Sequence, residues 1–393
     1  MATAVDKYTD GLPVNLRGPS PRQLFVHDTA VTRDPGFMGV LADAQQYFPE
    51  RALWLAGPQD LVLLAQPLEP AYASYLATLN CAPRYQSVAS TTDTPLTLQL
   101  LQDADWHLPL RDWLKQTSPV ANAGTSALQL NTYCTTAESI ELADHIAHLT
   151  AYPITTSGDP ETTYQANQKI YQRQEMGQLG FEPIPGKIVQ VDEPTSALAL
   201  NSLWQAVCDI IPQTGSVMIR SNYASGGGGN IRLSGCDQHK LSSWLKNTPG
   251  DGKYLVEAYL PSTTSPNLQY WVDHQGVSHH ILTTDQRMSD DLLSVGSRYP
   301  GANQDNQDLH AAGNQVVQWL RDQGLRGMIG LDFLCDQHTG AQHFVEANVR
   351  FNGSSYASAI WFRINAERRR LRQDSLGFWQ SRRYSHCPAI SFA

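Results

Sequence analysis

Residues 343–351, HFVEANVRF, alternate as only an extended strand would make useful. Side chains of a strand point to opposite faces in turn. Val345, Ala347, Val349 and Phe351 therefore share one face, and Phe344, Glu346, Asn348 and Arg350 the other. One face is core; the other carries a carboxylate, an amide and a guanidinium in a row. MIGLDFL (328–334) reads as a partner strand, with DQHTG supplying the turn. A hairpin centred near Thr339 sets Asp332 directly opposite Glu346. Like charges so placed destabilise a sheet. A divalent cation between them reverses the sign, and oxygen ligands from two carboxylates and an amide suit magnesium. The plainer alternative is a solvated polar strand face without a metal. A slip of one residue in register removes the pairing altogether.

A second stretch, NYASGGGGN (222–230), holds four consecutive glycines, Gly226, Gly227, Gly228 and Gly229. Glycine inside a helix or strand costs ~0.5–1 kcal/mol relative to alanine, so the run belongs in a loop. SVMIR (216–220) before it and NIRL (230–233) after it read as strands. The phosphate loop ending in GK[ST] and the dinucleotide fingerprint each open a helix, and neither fits. A glycine-rich loop between strands is a flap whose N–H groups can close over phosphates. A long hairpin loop with no ligand is the alternative.

Elsewhere the pattern is layered. QLFVHD (23–28), RALWLAG (51–57) and DLVLLAQ (60–66) read as buried strands, and PAYASYLATL (70–79) as a helix between strands. That alternation predicts an α/β layer. TAESIELADHIAHLTAYP (136–153) and YQANQKIYQRQEMGQLG (164–180) read as helices, the second ended by Gly180. The chain of 393 residues is 41% hydrophobic and 17% charged, as ordinary folded domains are. No apolar run reaches the ~18 residues of a membrane helix, and the first residues lack a signal-peptide pattern. Six scattered cysteines without a CxxC pair point to a reducing, cytoplasmic setting and away from structural zinc. A net charge of −9 argues against nucleic acid as partner.

GLDF…EANVR resembles the metal-binding hairpin of the ATP-grasp superfamily, with Asp332, Glu346 and Asn348 matching its magnesium ligands. YASGGGGN resembles its glycine-rich flap, which implies nucleotide contacts from Ser225, the four glycines and Asn230. VMIRS stands where the family has a strand with a phosphate-binding lysine; Arg220 takes the lysine's place, and arginine binds phosphate bidentately. ANQK resembles the helix that supplies the first phosphate lysine, here Lys169. KYLVEAYL (253–260) is similar to the strand and hinge that hold adenine, with Glu257 inward and the backbone near Ala258 and Leu260 facing the base. The resemblance runs from about residue 135 to 360, in order. It implies a Rossmann-like pre-ATP-grasp domain over 1–135, a small ATP-grasp subdomain with linker helices and flap over 136–255, and a large subdomain with the metal site over 256–393. On the substrate side, VEAYLPSTTSPNLQYWVDHQG and TTDQRMSDDLLSVGSRYPG resemble the amino-acid and peptide ligases of natural-product and siderophore pathways.

The chemistry the resemblance implies is ligation of a small-molecule carboxylate to an amine. ATP phosphorylates the carboxylate, the amine displaces phosphate, and ADP is released. ATP and magnesium are the implied cofactors, and a homodimer is one option for the assembly. Arg350 would stabilise the transferring phosphoryl group. Arg298, in GSRYPG, reads as a partner for a substrate carboxylate or as a solvated loop charge, and Gln286 as a lining of the acceptor pocket or as an ordinary polar residue. A hydroxyl or thiol nucleophile, or a regulatory nucleotide site without ligase activity, are the competing readings. The tail after residue 362 holds seven arginines, Arg363 to Arg383, against two acids. It reads as a basic helix or an anion-binding extension.

Overall fold

The computed structural model describes residues 22–29, 31, 48–79, 81, 83–88, 94–103, 106–116, 128–224, 229–235, 237–247, 250–289, 294–374 and 379–380. Its first sheet is parallel. Strands β1 (Gln23–Val26), β2 (Leu61–Leu64), β3 (Arg84–Ser87), β4 (Leu128–Thr132) and β5 (Ile154–Thr155) stand in the order β3-β2-β1-β4-β5. Every residue of β1 and β2 is buried, as a sheet covered on both faces requires. Leu24, Val26, Leu61 and Leu63 pack on Leu100, Trp106, Leu110 and Leu142 on one face. Phe25, Val62 and Leu64 pack on Leu53, Trp54 and Phe362 on the other.

Two sequence expectations are corrected here. RALWLAG does not form a strand; Phe48–Trp54 is a 3-10 helix lying on the sheet. Two parallel strands need a crossover of about a dozen residues, and only a few separate this run from β2. The single helix expected over 164–180 is two, Pro160–Ala166 and Lys169–Gln178. Asn167 stands at the break, its side chain bonded both to the helix it ends and to Val349. Nδ2 donates to the Thr163 carbonyl at 2.8 Å, and Oδ1 accepts from the Val349 amide at 3.0 Å. The break puts Lys169 at the start of a helix, its amide donating to the Asn222 carbonyl at 3.0 Å.

The second sheet is antiparallel: β6 (Gly186–Gln190), β7 (Ser216–Ser221), β8 (Asn230–Ser234) and β9 (Lys253–Ala258), ordered β6-β9-β7-β8. Helices Ala197–Thr214 and Gln238–Asn247 back it through Leu203, Val207, Leu241 and Leu245. The third sheet is antiparallel too, built from β10 (Ser262–Thr264), β11 (Pro266–Val272), β12 (Ser278–Met288), β13 (Ser294–Tyr299), β14 (Gly327–Asp336), β15 (Gln342–Asn348) and β16 (Trp379–Gln380). Strand β14 pairs with β15 on one side and with β10 and β11 on the other; β12, β13 and β16 follow.

Alternation gives the third sheet two distinct faces. Leu268, Tyr270, Ile329, Leu331 and Phe333 meet Leu309, Val316, Val317 and Leu320 of the helix Gln307–Asp322. The opposite face carries Trp271, Leu282, Tyr299 and Met328 onto the helix Gly353–Arg370, whose Tyr356, Trp361 and Phe362 also meet the parallel sheet. Arg363 fastens that helix to the first domain by donating to the Trp54 and Ala56 carbonyls. Cys81, Cys134, Cys208 and Cys335 are free thiols. Among the described residues no helix is long and apolar enough to cross a membrane.

Candidate active site

Asp332 on β14 and Glu346 on β15 are register partners, as the hairpin centred near Thr339 predicts. The register then slips: Phe333 opposes Phe344, and Val345 is an extra residue in a bulge. Phe344 therefore turns to the core, 5.6 Å from the Phe333 ring and 6.2 Å from Phe181. Val345 and Phe344 both border the crevice, a correction to simple alternation that leaves Glu346, Asn348 and Arg350 on the site face. Asn348 Nδ2 donates to Asp332 Oδ2 at 3.0 Å, and Asn267 and Gln286 donate to Oδ1. Gln269 passes that order on to the Gly353–Arg370 helix, donating to Asn267 Oδ1 and accepting from Ser355 Oγ at 2.7 Å. Gly330 has no room for a Cβ, which would lie 2.3 Å from the Asn352 amide nitrogen.

The two carboxyl groups differ in their charge state. Burial, and then the Glu346 charge beside it, push the Asp332 carboxyl up to about 8. Burial also acts to raise Glu346, but Lys169, Arg220 and Arg350 outweigh it and hold that carboxyl below its ordinary value. Asp332 is 7% exposed, while the Glu346 side chain keeps 18% open. At neutral pH the pair thus shares one proton. Two carboxylates with the Asn348 amide form an all-oxygen donor set, which fits magnesium.

Four cations and one more carboxylate complete the site. Lys169 Nζ lies 3.1 Å from Glu346 Oε2 and donates to the Ala224 carbonyl at 2.9 Å, where the glycine loop begins. Arg220 donates to Glu257 Oε2 through Nε at 3.0 Å and Nη2 at 2.6 Å, and through Nη1 to the Val345 carbonyl at 3.2 Å. Arg173, one helical turn after Lys169, donates to the other oxygen of Glu257 and to the Ile184 carbonyl at 2.8 Å. Glu257 therefore faces the cations, held by two guanidinium groups. Arg350 Nη1 donates to Asn167 Oδ1. A narrow crevice, open to solvent, runs past Arg173, Pro183, Ile184, Arg220, Glu257 and Val345.

The remaining expectations fall as follows. Ser225, Gly226, Gly227 and Gly228 lie outside the described residues. Gly229 closes the loop, its carbonyl accepting from the Ser221 amide at 2.9 Å; a Cβ there would come within 2.6 Å of Ala224 Cβ. Asn230 opens β8 opposite Arg220. Ala258 and Tyr259 donate their amides to the Pro185 and Ser216 carbonyls at 2.8 and 3.0 Å. Leu260 and Leu334 are both partly buried against the second sheet's core. The structure does not bring Arg298 to this group. It pairs in register with Asp285, on the face of the third sheet away from Asp332 and Gln286, and is exposed. Sequence reasoning missed Arg173, Asn167 and Asn267. Arg173 had a signal, four residues after Lys169 on one helix face; Asn167 and Asn267 had none beyond their polarity.

Residues 49–147 match the family described as Pre ATP-grasp domain. No curated protein matches the sequence. Among solved structures, the ADP complex of an N5-carboxyaminoimidazole ribonucleotide synthetase is similar with a TM-score of 0.51 at 12% identity, over 86% of this chain and 72% of that one. The biotin carboxylase domain of the Hydrogenobacter thermophilus 2-oxoglutarate carboxylase, solved with MgADP and bicarbonate, gives 0.51 at 14% identity over 88% and 69%. The biotin carboxylase of Campylobacter jejuni gives 0.51 at 15% identity over 88% and 70%. The parallel N-terminal sheet and the two antiparallel sheets that enclose the acidic hairpin are thus a pre-ATP-grasp domain followed by an ATP-grasp fold.

Proposed function

We propose that the protein is an ATP-dependent ligase that joins a carboxylic acid to an amine through an acyl phosphate, with release of ADP and phosphate. A biosynthetic role, in natural-product or siderophore assembly, follows from the sequence resemblance on the substrate side. The observation that carries the reading is the facing pair Asp332, buried, and Glu346, half-buried, with Lys169 3.1 Å and Arg220 4.0 Å from the Glu346 carboxylate. The solved structures of similar fold hold ADP or MgADP, which supports a nucleotide in the same cleft.

Asp332, Glu346 and Asn348 would hold magnesium, which when bound neutralises charge on the terminal phosphates of ATP. Lys169, paired with Glu346 and donating to the Ala224 carbonyl at the base of the glycine loop, would set its charge beside the phosphates. Arg220 is fixed by Glu257, so its charge is set in place before the nucleotide arrives. Phosphoryl transfer asks for positioning and charge neutralisation more than covalent chemistry, and this set supplies both. Arg350, on the same face, would steady the transferring phosphoryl or the oxyanion formed when the amine attacks. The glycine loop would close over the site and keep water from the acyl phosphate.

Coupled assay of ADP release against a panel of carboxylic acids, then of amines, with product masses read out, tests the reading. With the correct acid, ¹⁸O in its carboxylate should appear in the released phosphate. Stoichiometric AMP would overturn it.

A further inference from the structure

Outside the acidic hairpin, one cluster lies across the seam between the parallel sheet and the third sheet. The parallel sheet reverses its winding between β1 and β4: β2 and β3 extend from one side of β1, β4 and β5 from the other. In open α/β sheets, ligands bind beyond the carboxyl ends of the strands at such a point. Here those ends are His27, directly after β1, and Tyr133, directly after β4. Arg51 of the Phe48–Trp54 helix stands beside them. Its guanidinium lies 4.3 Å from the Phe48 ring centroid and 4.4 Å from that of Tyr356, with Tyr133 at 5.9 Å.

The polar edges of this cluster are unsatisfied. Arg51 Nε donates to the Phe48 carbonyl at 3.2 Å, but Nη2 has no partner, and no carboxylate pairs with Arg51 among the described residues. His27 is completely buried, with Nδ1 bonded to Tyr356 Oη at 2.8 Å and Nε2 without a partner. Burial, then the Arg51 charge, hold the His27 ring well below its ordinary value, so it is neutral. In the tautomer in which Tyr356 Oη donates to Nδ1, Nε2 carries the ring's hydrogen and is a donor. A partly buried guanidinium with no counter-charge is costly, and an unused buried donor adds to the cost. An anion would satisfy both.

The cluster also touches the reaction face. The Phe351 ring lies 4.4 Å from the His27 ring, its amide donates to the Tyr133 carbonyl at 3.0 Å, and it directly follows Arg350. We propose that Arg51 and His27 bind the carboxylate that does not react, on whichever substrate carries one, and so fix which end of it meets Arg350. This rests on the ligase reading. Phe48, Tyr133 and Phe351 give the ligand apolar walls, so a carboxylate on a hydrocarbon body fits better than inorganic phosphate, which would have to shed far more hydration. Arg51 itself stays partly open to solvent, which leaves a route for a small molecule.

The probes are α-amino acids and four- to six-carbon dicarboxylic acids, each beside the amide that lacks the carboxylate. At least one free acid should raise the melting temperature of the nucleotide-free wild type while its amide does not, and Arg51→Gln should abolish the rise. If ADP release identifies the acid or the amino-acid acceptor as that ligand, its KM should rise at least about tenfold in Arg51→Gln, with the KM for MgATP unchanged, because one charged hydrogen bond is lost. Arg51→Lys should recover part of the loss. The proposal is overturned if acid and amide act alike, if Arg51→Gln responds as the wild type does, or if no acid in the panel gives a carboxylate-dependent shift. The acid–amide comparison on the wild type decides the matter even if Arg51→Gln fails to fold. A carboxylate-dependent melting shift without ADP release from any acid would sink the ligase reading and leave the anion site standing.

Discussion

Two buried acidic sites sit within one cleft and are treated in opposite ways. Glu257 is 3% exposed and meets two guanidinium groups, Arg173 and Arg220, which share out its two oxygens. Asp332, nearly as buried, faces another carboxyl, and its protein partners are three amides rather than a cation. A buried acid that the protein itself neutralises is part of the scaffold; its removal strands the charges that were built around it. A buried acid that meets another carboxyl keeps a proton at neutral pH instead of a counter-ion. The comparison separates structural charge from functional charge within a single site.

The largest expected effect falls on turnover at the uncompensated pair. Asp332→Asn or Glu346→Gln should lower kcat by about a thousandfold, the scale on which lost transition-state charge stabilisation is felt. Melting temperature at neutral pH should hold in Asp332→Asn, whose carboxyl is already protonated there, and should fall in Glu346→Gln, because Lys169 and Arg220 lose a counter-charge. Near-normal turnover in magnesium would erase the distinction. Glu257→Gln should show the converse, a loss of about 3–5 kcal/mol in stability, because two buried guanidinium groups lose their counter-charge. Urea denaturation measures it, and an unchanged midpoint would mean the pairs contribute nothing.

The pH dependence of stability sharpens the same contrast. The Asp332 carboxyl is raised in the folded chain from about 3.8 to about 8. The folded state therefore holds a proton that the unfolded state has released. The stability this adds is full below pH ~4 and is lost as the pH climbs through about 8. Melting of the wild type relative to Asp332→Asn should fall between pH 5 and 8, and magnesium with ADP should reverse the fall. A constant difference across that window would contradict the shared proton. The smallest effect belongs to the amides. Gln286→Ala removes one hydrogen bond from Asp332 and should cost about 1 kcal/mol, seen as a severalfold loss in kcat/KM.

What the sequence disclosed, and what it hid, follow one physical line. Strand periodicity located Glu346, Asn348 and Arg350, and the turn at Thr339 set Asp332 against Glu346, because register follows from turn position. The same rule misplaced Phe344 and Val345, since a bulge adds a residue without leaving a sign in the sequence. RALWLAG looked like a strand because an apolar run is equally compatible with any element buried on all sides. The helix break at Asn167 was invisible for a different reason: its partner Val349 lies 182 residues away. Glu257 was read as a strand residue turned inward, which it is, but the two arginines that meet it come from a helix and from β7.

The central claim is that Asp332 and Glu346 form a divalent-cation site that serves a nucleotide, whereas Glu257 does not. Titration of ADP into the protein by calorimetry, with manganese or magnesium present and absent, tests it on the wild type, Glu346→Gln and Glu257→Gln. The account predicts that the metal tightens ADP binding in the wild type and in folded Glu257→Gln, and that this gain disappears in Glu346→Gln. An undiminished metal-dependent gain in Glu346→Gln would contradict it.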